Sequence, residues 1–390
     1  MDVLIELGDT RGAPSQDDRR PAPPSRPGRV AVLLAACALL GGATAPARLS
    51  AQVGPPVTGR AALLIAGPLL LVVDRDASPP TVSAYDAAAP HRPARWRVAV
   101  APAASWSAQA AGDVLLLAER DQTRQTVVTT ARSMSDGEPL WQRPDRMYAA
   151  GDAAVAVSEV RSASEPGRRV EGTVRGVDLA TGATRWSVPV PSTAVVQVLI
   201  DPPGRVLLVQ DDGLVRLLDA RDGAVHGQGS LPPADFGPDN PQVIGGHLVL
   251  RHPTDTGAAV TGYDLPGLTP RWQAPVERGE LTLRACQGLV CAQDRQGRWA
   301  LDPASGARSW VWPAGARWRI VAGARDGADA LVLLQPAADG HRILVATAGR
   351  DGPRVRGVLP AGVTDCRRAG PRLVCRETDG RVTVWPLDTS

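Results

Sequence analysis

The sequence predicts an all-β protein: an eight-bladed β-propeller of four-stranded antiparallel blades, preceded by one N-terminal transmembrane helix. Three observations predict it: a phrase that recurs about every forty residues, a matching series of apolar runs, and an uncharged segment near the N-terminus. In the phrase, an Asp ends an alternating apolar run, a Gly follows four positions later, and a Trp four positions after that. Asp178, Gly182 and Trp186 make one clean copy, and Asp302, Gly306 and Trp310 another. Asp264 and Trp272 keep the Asp-to-Trp step of eight, and Gly137 with Trp141 keeps the Gly-to-Trp step of four. A fixed period of this size means one supersecondary unit stacked many times.

Within each unit an apolar run leads to a tight turn and a second alternating run. Asp212-Gly213, Gln296-Gly297, Asp339-Gly340 and Asp379-Gly380 mark that turn at one place in the repeat. Asp-Gly supplies the positive φ that a two-residue hairpin turn needs. In the following turn the repeat Asp can bond its own backbone and its Gly accepts a left-handed conformation. The Trp then lands on the next strand as the large apolar contact. Each unit is a small antiparallel sheet of roughly four strands, the size of one propeller blade. Apolar runs beginning at Leu69, Val114, Ala154, Val206, His247, Leu289, Leu331 and Leu373 make eight units. The last unit ends after a third strand, RVTVW, so its fourth must come from elsewhere. Arg48–Val53, followed by Gly54-Pro55-Pro56, is placed to be that strand. Closing the ring with both ends of the chain leaves no open blade edge.

The Asp-x-x-x-Gly-x-x-x-Trp phrase resembles the tryptophan-docking repeat of the PQQ-like, quinoprotein-type β-propellers, over residues 48–390. The resemblance implies that each Trp packs between adjacent blades; the competing reading is an ordinary core residue of some other all-β fold. The opening MDVLIELG is similar to the short cytoplasmic stretch of membrane-anchored, single-pass propeller proteins from high-GC Gram-positive bacteria. The copies are not uniform. Gly227 and Arg356 stand at the Trp positions of the fourth and seventh units, and Ser133 and Ala348 replace the Asp. The first unit inserts two residues between Asp86 and Trp96.

Composition agrees, with 40 Gly and 36 Pro for turns and 44% hydrophobic residues for a large core. Arg supplies all 43 basic side chains against 40 acids, leaving a net charge of +3. No concentrated basic patch is visible, which argues against a nucleic-acid partner. Residues 1–29 are polar and rich in Pro and charge, and read as a disordered cytoplasmic tail. Residues 30–47 read as a transmembrane signal anchor, with sixteen uncharged residues from Val30 onward. As a helix that run spans roughly 24 Å, against a bilayer core of about 30 Å. Arg19, Arg20, Arg26 and Arg29 crowd its N-terminal flank. By the positive-inside tendency this keeps the N-terminus in the cytoplasm and puts the propeller, 48–390, outside the cell. Two other fates compete. Ala43-Thr44-Ala45 and Leu49-Ser50-Ala51 offer signal-peptide cleavage sites, and Leu34-Ala35-Ala36-Cys37 spells a lipobox-like tetrapeptide.

Cys286 and Cys291 flank one turn, Cys366 and Cys375 another, and both second cysteines occupy the same repeat position. Each pair reads as a disulfide across the first two strands of its blade, suited to an oxidising compartment. Buried free thiols are the bland alternative, and the spacing fits no zinc pattern. The five His are scattered over different units, and His247 and His252 sit at opposite parity on one strand, which argues against a shared metal. Asp74 with Asp76, and Asp211 with Asp212, read as solvated turn carboxylates rather than calcium ligands. No Gly-x-Ser-x-Gly elbow, phosphate loop or HExxH helix occurs. The expected function is a non-catalytic, membrane-tethered platform, a monomer without cofactor or metal, that binds an envelope protein or polymer. The alternative, implied by the resemblance, is a quinone (PQQ)-dependent dehydrogenase. Those enzymes carry adjacent cysteines beside the cofactor, and this sequence has no Cys-Cys.

Overall fold

The computed structural model describes Leu49 and residues 51–387, apart from 122–125, 160–170, 192–193, 200–202, 211, 235–239, 256, 277–281, 294–296, 314–317 and 324–329. The expected tail and anchor, 1–29 and 30–47, lie outside the described residues. No helix among the described residues is long and apolar enough to cross a membrane. Blades 1 to 7 span residues 62–99, 105–143, 146–191, 195–230, 242–276, 282–313 and 319–360, and in each four strands pair antiparallel. Blade 8 takes three strands from 363–386 and its outermost from Gln52–Pro56. The first strands touch across the boundaries of blades 1 and 2, 2 and 3, 3 and 4, 5 and 6, and 8 and 1, so the first strands line the axis and the fourth strands form the rim.

The eight apolar runs are the second strands. Leu69, Leu71, Leu115, Leu117, Leu207, Leu208 and Leu248 on them are fully buried. Such a strand has a partner on each edge and a blade on each face, so it reads as a continuous apolar run instead of an alternating one. The hydrophobic clusters lie between blades. Leu71 and Trp96 of blade 1 pack with Leu115 and Leu117 of blade 2, and Val155 of blade 3 packs with Val206 and Leu208 of blade 4. Val345 of blade 7 meets Leu373 and Trp385 of blade 8 in the same way. The two expected disulfides are present, Cys286–Cys291 in blade 6 and Cys366–Cys375 in blade 8, each joining first and second strands.

Two details differ from the sequence reading. The Asp-Gly hairpins are longer than two-residue turns. Gly213, Gly340 and Gly380 take φ of 86°, 67° and 84°, while the Asp before each does not enter the left-handed region. Gly213 instead closes a turn onto Gln210, and Gln210 pairs with Leu214 beyond it. Each Asp carboxylate accepts the amide two residues on, at Leu214, His341 and Arg381. A carboxylate that holds the turn from outside removes the need for a second positive φ. The closing strand is also displaced from 48–53. It runs Gln52–Pro56 and includes the prolines that mark its expected end; Arg48 and Ser50 lie outside the described residues. Gln52 faces Val384 and Val53 faces Thr383, and the register shifts before Pro56 reaches Arg381. Proline is tolerated there because a rim strand needs no donor on its outer edge.

The seam is reinforced from the other side. Arg376 of blade 8 donates to the Gly59 and Ala61 carbonyls at 2.8 and 2.9 Å. Leu63 and Leu70 of blade 1 pack against Val374, Val382 and Val384. Blade 7 is the irregular one. Its first strand pairs only through Arg319–Ile320, after which Ala322–Gly323 crosses to lie parallel to Arg367 and Arg368 of blade 8, giving that sheet a fifth strand.

The seam makes a direct prediction. A chain beginning at Pro55 lacks both residues that pair with Val384 and Thr383, and should melt several degrees lower than one beginning at Leu49, or aggregate through the bared edge. Equal melting temperatures in parallel thermal scans would show that the closing strand adds nothing.

Candidate functional site

The repeat Asp is spent on its own turn. The Asp178 N–H donates to the Ala183 carbonyl and the Gly182 N–H to the Asp178 carbonyl, both at 2.9 Å. The Asp178 carboxylate accepts from the Thr181 amide and hydroxyl and pairs with Arg185. The Thr181 amide first, then Arg185, hold this carboxyl down at about 2. Asp302 repeats the arrangement with Ser305, and Asp264 pairs with Arg271.

This turn delivers Trp186 past a β-bulge to face Gly176 on the third strand. Its indole N–H donates across the blade boundary to the Ala220 carbonyl of blade 4, at 2.9 Å. The same bond joins Trp96 to Met134, Trp141 to Leu179, Trp272 to Pro303 and Trp310 to Gly349, at 2.7 to 3.1 Å. The acceptor is always the residue after the Asp position of the next blade. Each indole also lies against the Gly of that next turn: a Cβ on Gly182 would stand 2.8 Å from the Trp141 ring, and one on Gly306 2.5 Å from that of Trp272. Gly182 and Gly306 take φ of 71° and 70° as well, so the position demands Gly for two independent reasons.

The irregular copies have physical explanations. Between blades 4 and 5 the sizes are exchanged: Gly227 stands at the Trp place and Leu268 at the Gly place. A Cβ on Gly227 would meet the Pro266 carbonyl at 2.4 Å, and Leu268 is buried in the interface cluster. The residue facing the Trp across the strand pair shows the same exchange. It is Ala84, Ala131, Gly176, Gly262 or Ala300 opposite a Trp, and Leu217 opposite Gly227. That small-residue signal, two positions before the Asp, is legible in the sequence. Arg356 does not replace a Trp. Gly349 pairs directly with Gly352, which moves the bulge one residue along, onto Arg356 itself. Its Nε donates to Thr347 Oγ1 of its own blade at 2.8 Å.

The remaining sequence candidates are structural. His252 is buried, with Nδ1–H donating to the Pro233 carbonyl and Nε2 accepting from the Tyr263 hydroxyl, both at 2.9 Å. Burial pushes its pKa down. His247, five residues earlier and on the other side of the strand, places Nδ1 3.1 Å from Asp264 Oδ1. Asp74 accepts the Asp76 amide, and Asp211 lies outside the described residues. Among the described residues no three His, Cys, Asp or Glu side chains form a metal set.

A site the sequence reading missed is a cleft of about 420 Å³ between the rim strand of blade 1 and the outer half of blade 2. Ala99 and Ala101 line it from the side of blade 1, and Glu119, Arg132, Pro139 and Leu140 from blade 2, where Arg132 and Pro139 are paired on one face. Hairpin parity puts both charges on one face, since Glu119 pairs with Val128 and Arg132 with Leu115. They are 8% and 9% exposed. Burial pushes the Glu119 carboxyl up, with Arg132 pulling against it. Arg132 Nη1 donates to the Gly137 carbonyl at 2.9 Å, while its buried Nε has no hydrogen-bond partner. The signal was present: Arg132 precedes the Asp position, where five other repeats carry the large apolar or aromatic Tyr85, Val177, Leu218, Tyr263 and Leu301 and the seventh carries the uncharged Thr347.

No family model matches the chain, and no curated protein matches it. Its fold is similar to the crystal structure of BamB from Moraxella catarrhalis, with a TM-score of 0.52 and 16% identity over 89% of this chain and 99% of that one. It is also similar to the computationally designed Ika8 protein, with a TM-score of 0.53 and 15% identity over 88% of this chain and 99% of that one. At these identities the likeness establishes the fold alone.

Gly182→Ala is expected to cost about 2 kcal/mol or more, from the left-handed φ and the overpacking against Trp141. Trp186→Phe should cost about 1 kcal/mol through the lost indole donor. Gly267, whose Cβ would meet only the Thr269 hydroxyl at 3.7 Å, is the control and should tolerate Ala in the same denaturant melts. His252 supplies a pH test. Its folded pKa lies below the unfolded value, so its contribution is complete above about pH 6.5 and is lost as the pH falls towards the folded pKa. Stability measured from pH 7.5 to 5.5 should therefore fall more steeply for the native protein than for His252→Gln; parallel curves would remove this role.

Proposed function

We propose that the protein is a non-catalytic binding platform: a monomeric ring held outside the cell by a single membrane helix at residues 30–47, its N-terminus cytoplasmic, offering its surface to an envelope protein or polymer. The observation that carries this reading is how the ring's reactive groups are used. Its four cysteines are joined in two disulfides in separate blades, and the docking-turn carboxylates are tied to their own amides and arginines. Disulfides favour an oxidising compartment, and the arginines before Val30 favour an inward N-terminus. A ring latched at successive blade boundaries is a rigid surface, suited to recognition without moving parts. The second reading is a quinone-dependent dehydrogenase. The resemblance of the repeat favours it, but the cysteine pairs of blades 6 and 8 are not the adjacent pair that such chemistry uses. The fold shared with BamB and Ika8 supports a ring and does not select a ligand.

External protease applied to intact cells should digest the ring and spare an epitope placed at the N-terminus. A mature protein in the medium beginning near Gln52 would show instead that the segment is cleaved. The isolated ring, supplied with quinone and calcium, should show no dye-linked oxidation of alcohols or sugars, and turnover above a heat-killed control would overturn the non-catalytic reading. Affinity capture from intact membranes then identifies the partner.

A further inference from the structure

Among the described residues, Glu119, Arg132, Asp145 and Arg368 are the buried charged side chains. Asp145 lies between Arg143 and Arg175, at 3.5 and 3.4 Å. Arg368 donates to the Gly370 and Ala330 carbonyls. Arg132 is different. Its guanidinium donates through Nη1 to the Gly137 carbonyl, its Nε is buried without a partner, and its side chain lines the 420 Å³ cleft. A mostly buried guanidinium that lines a cleft is stabilised by an anion that reaches it there. A carboxylate is the group whose two oxygens match a guanidinium edge.

The rest of the cleft sets what that carboxylate is attached to. Ala99 of blade 1 and Val100 and Ala101 just after it supply apolar lining, as do Pro139 and Leu140 of blade 2, beside the polar Thr130 and Gln142; Leu140 is 46% exposed. Its volume falls in the range of small-ligand pockets, roughly 300–1,000 Å³. We propose that this cleft binds a carboxylate carried on an apolar body, the carboxylate on Arg132 and the body against Val100, Pro139 and Leu140. Glu119 lines the same cleft, where burial pushes its carboxyl up against the pull of Arg132. The inference goes beyond the platform reading and depends on neither the membrane helix nor the envelope partner. The same chemistry comes from two sources, a free organic acid or the C-terminal carboxylate of a peptide.

The test is calorimetric or NMR titration of the full-length protein with hydrocinnamate and with its amide, and with a short apolar peptide bearing a free or an amidated C-terminus. An acid should bind saturably at millimolar concentration, and its amide at least about tenfold more weakly, because the charge-assisted bond is lost. A tighter free-acid peptide would identify a chain end as the source, and a tighter hydrocinnamate a free acid. Arg132→Met should abolish acid binding. Leu140→Glu, on the exposed rim and away from the core, should weaken the acid about tenfold by placing a like charge in the mouth, with folding intact. Glu119→Gln should keep or tighten it. Equal binding of acid and amide, no saturation by either acid, or acid binding unchanged in Leu140→Glu would each overturn the proposal.

Discussion

The indole N–H that crosses from the rim of one blade to the turn of the next is the interaction on which the ring depends. A blade by itself is a four-stranded sheet with two apolar faces, and its second strand is buried only when a neighbour lies on each side. Burial drives the blades together but is non-directional, and would permit a range of stacking angles. The Trp bond is directional. It joins a fixed atom on one rim to a carbonyl left available by the Asp turn of the next blade, and the indole, once partly buried, needs that acceptor. The Gly beneath the ring sets the distance of approach. Asp, Gly and Trp therefore act as one device: the first shapes the turn, the second admits the ring, and the third ties the blades.

Where the device is missing, volume is conserved in another form. At the boundary of blades 4 and 5 the indole gives way to Gly227, and Leu217, Pro266 and Leu268 occupy the space from three directions. Such an interface keeps its apolar contact but loses a directional bond. The seam between blades 8 and 1 uses a third solution. Gly54 on the closing strand approaches Pro90 at the Gly place of blade 1, and the angle is fixed by the two carbonyl bonds from Arg376. Strand pairing from both ends of the chain holds what elsewhere a Trp holds.

Blade number, strand roles, disulfide pairing and the origin of the closing strand were legible in the sequence, because each rests on a local pattern repeated along the chain. Eight apolar runs can be counted without knowing where any of them lies in space. The hairpin geometry was not legible in the same way. Asp379-Gly380 is compatible with more than one turn, and the choice depends on whether the carboxylate reaches the Arg381 amide. The exact extent of the closing strand was hidden because Pro55 and Pro56 signal a break everywhere except on a rim. The direction of docking was also out of reach. The phrase names the Trp and the Gly, yet the Gly beneath Trp141 belongs to the next repeat, at Gly182, and only the ring geometry reveals the exchange. The cleft went unread for a related reason: its walls come from two blades, and its charges look like surface residues until strand parity turns them inward.

In five blades the residue before the Asp position packs toward the preceding blade. Tyr85, Val177, Leu218, Tyr263 and Leu301 each join the cluster on that side. Arg132 takes this place in blade 2, so the boundary with blade 1 gives up apolar burial at its outer half. It stays closed towards the axis, where Leu71, Leu115 and Leu117 pack, and on the rim strand itself, where Trp96 reaches the Met134 carbonyl. Inner packing and latch together hold a boundary that still opens a cleft. Local rules are broken in natural proteins mainly where something other than stability is served. Here the frame that repeats most strictly is what allows one position to depart from it, and that departure places a buried guanidinium within reach of the surface.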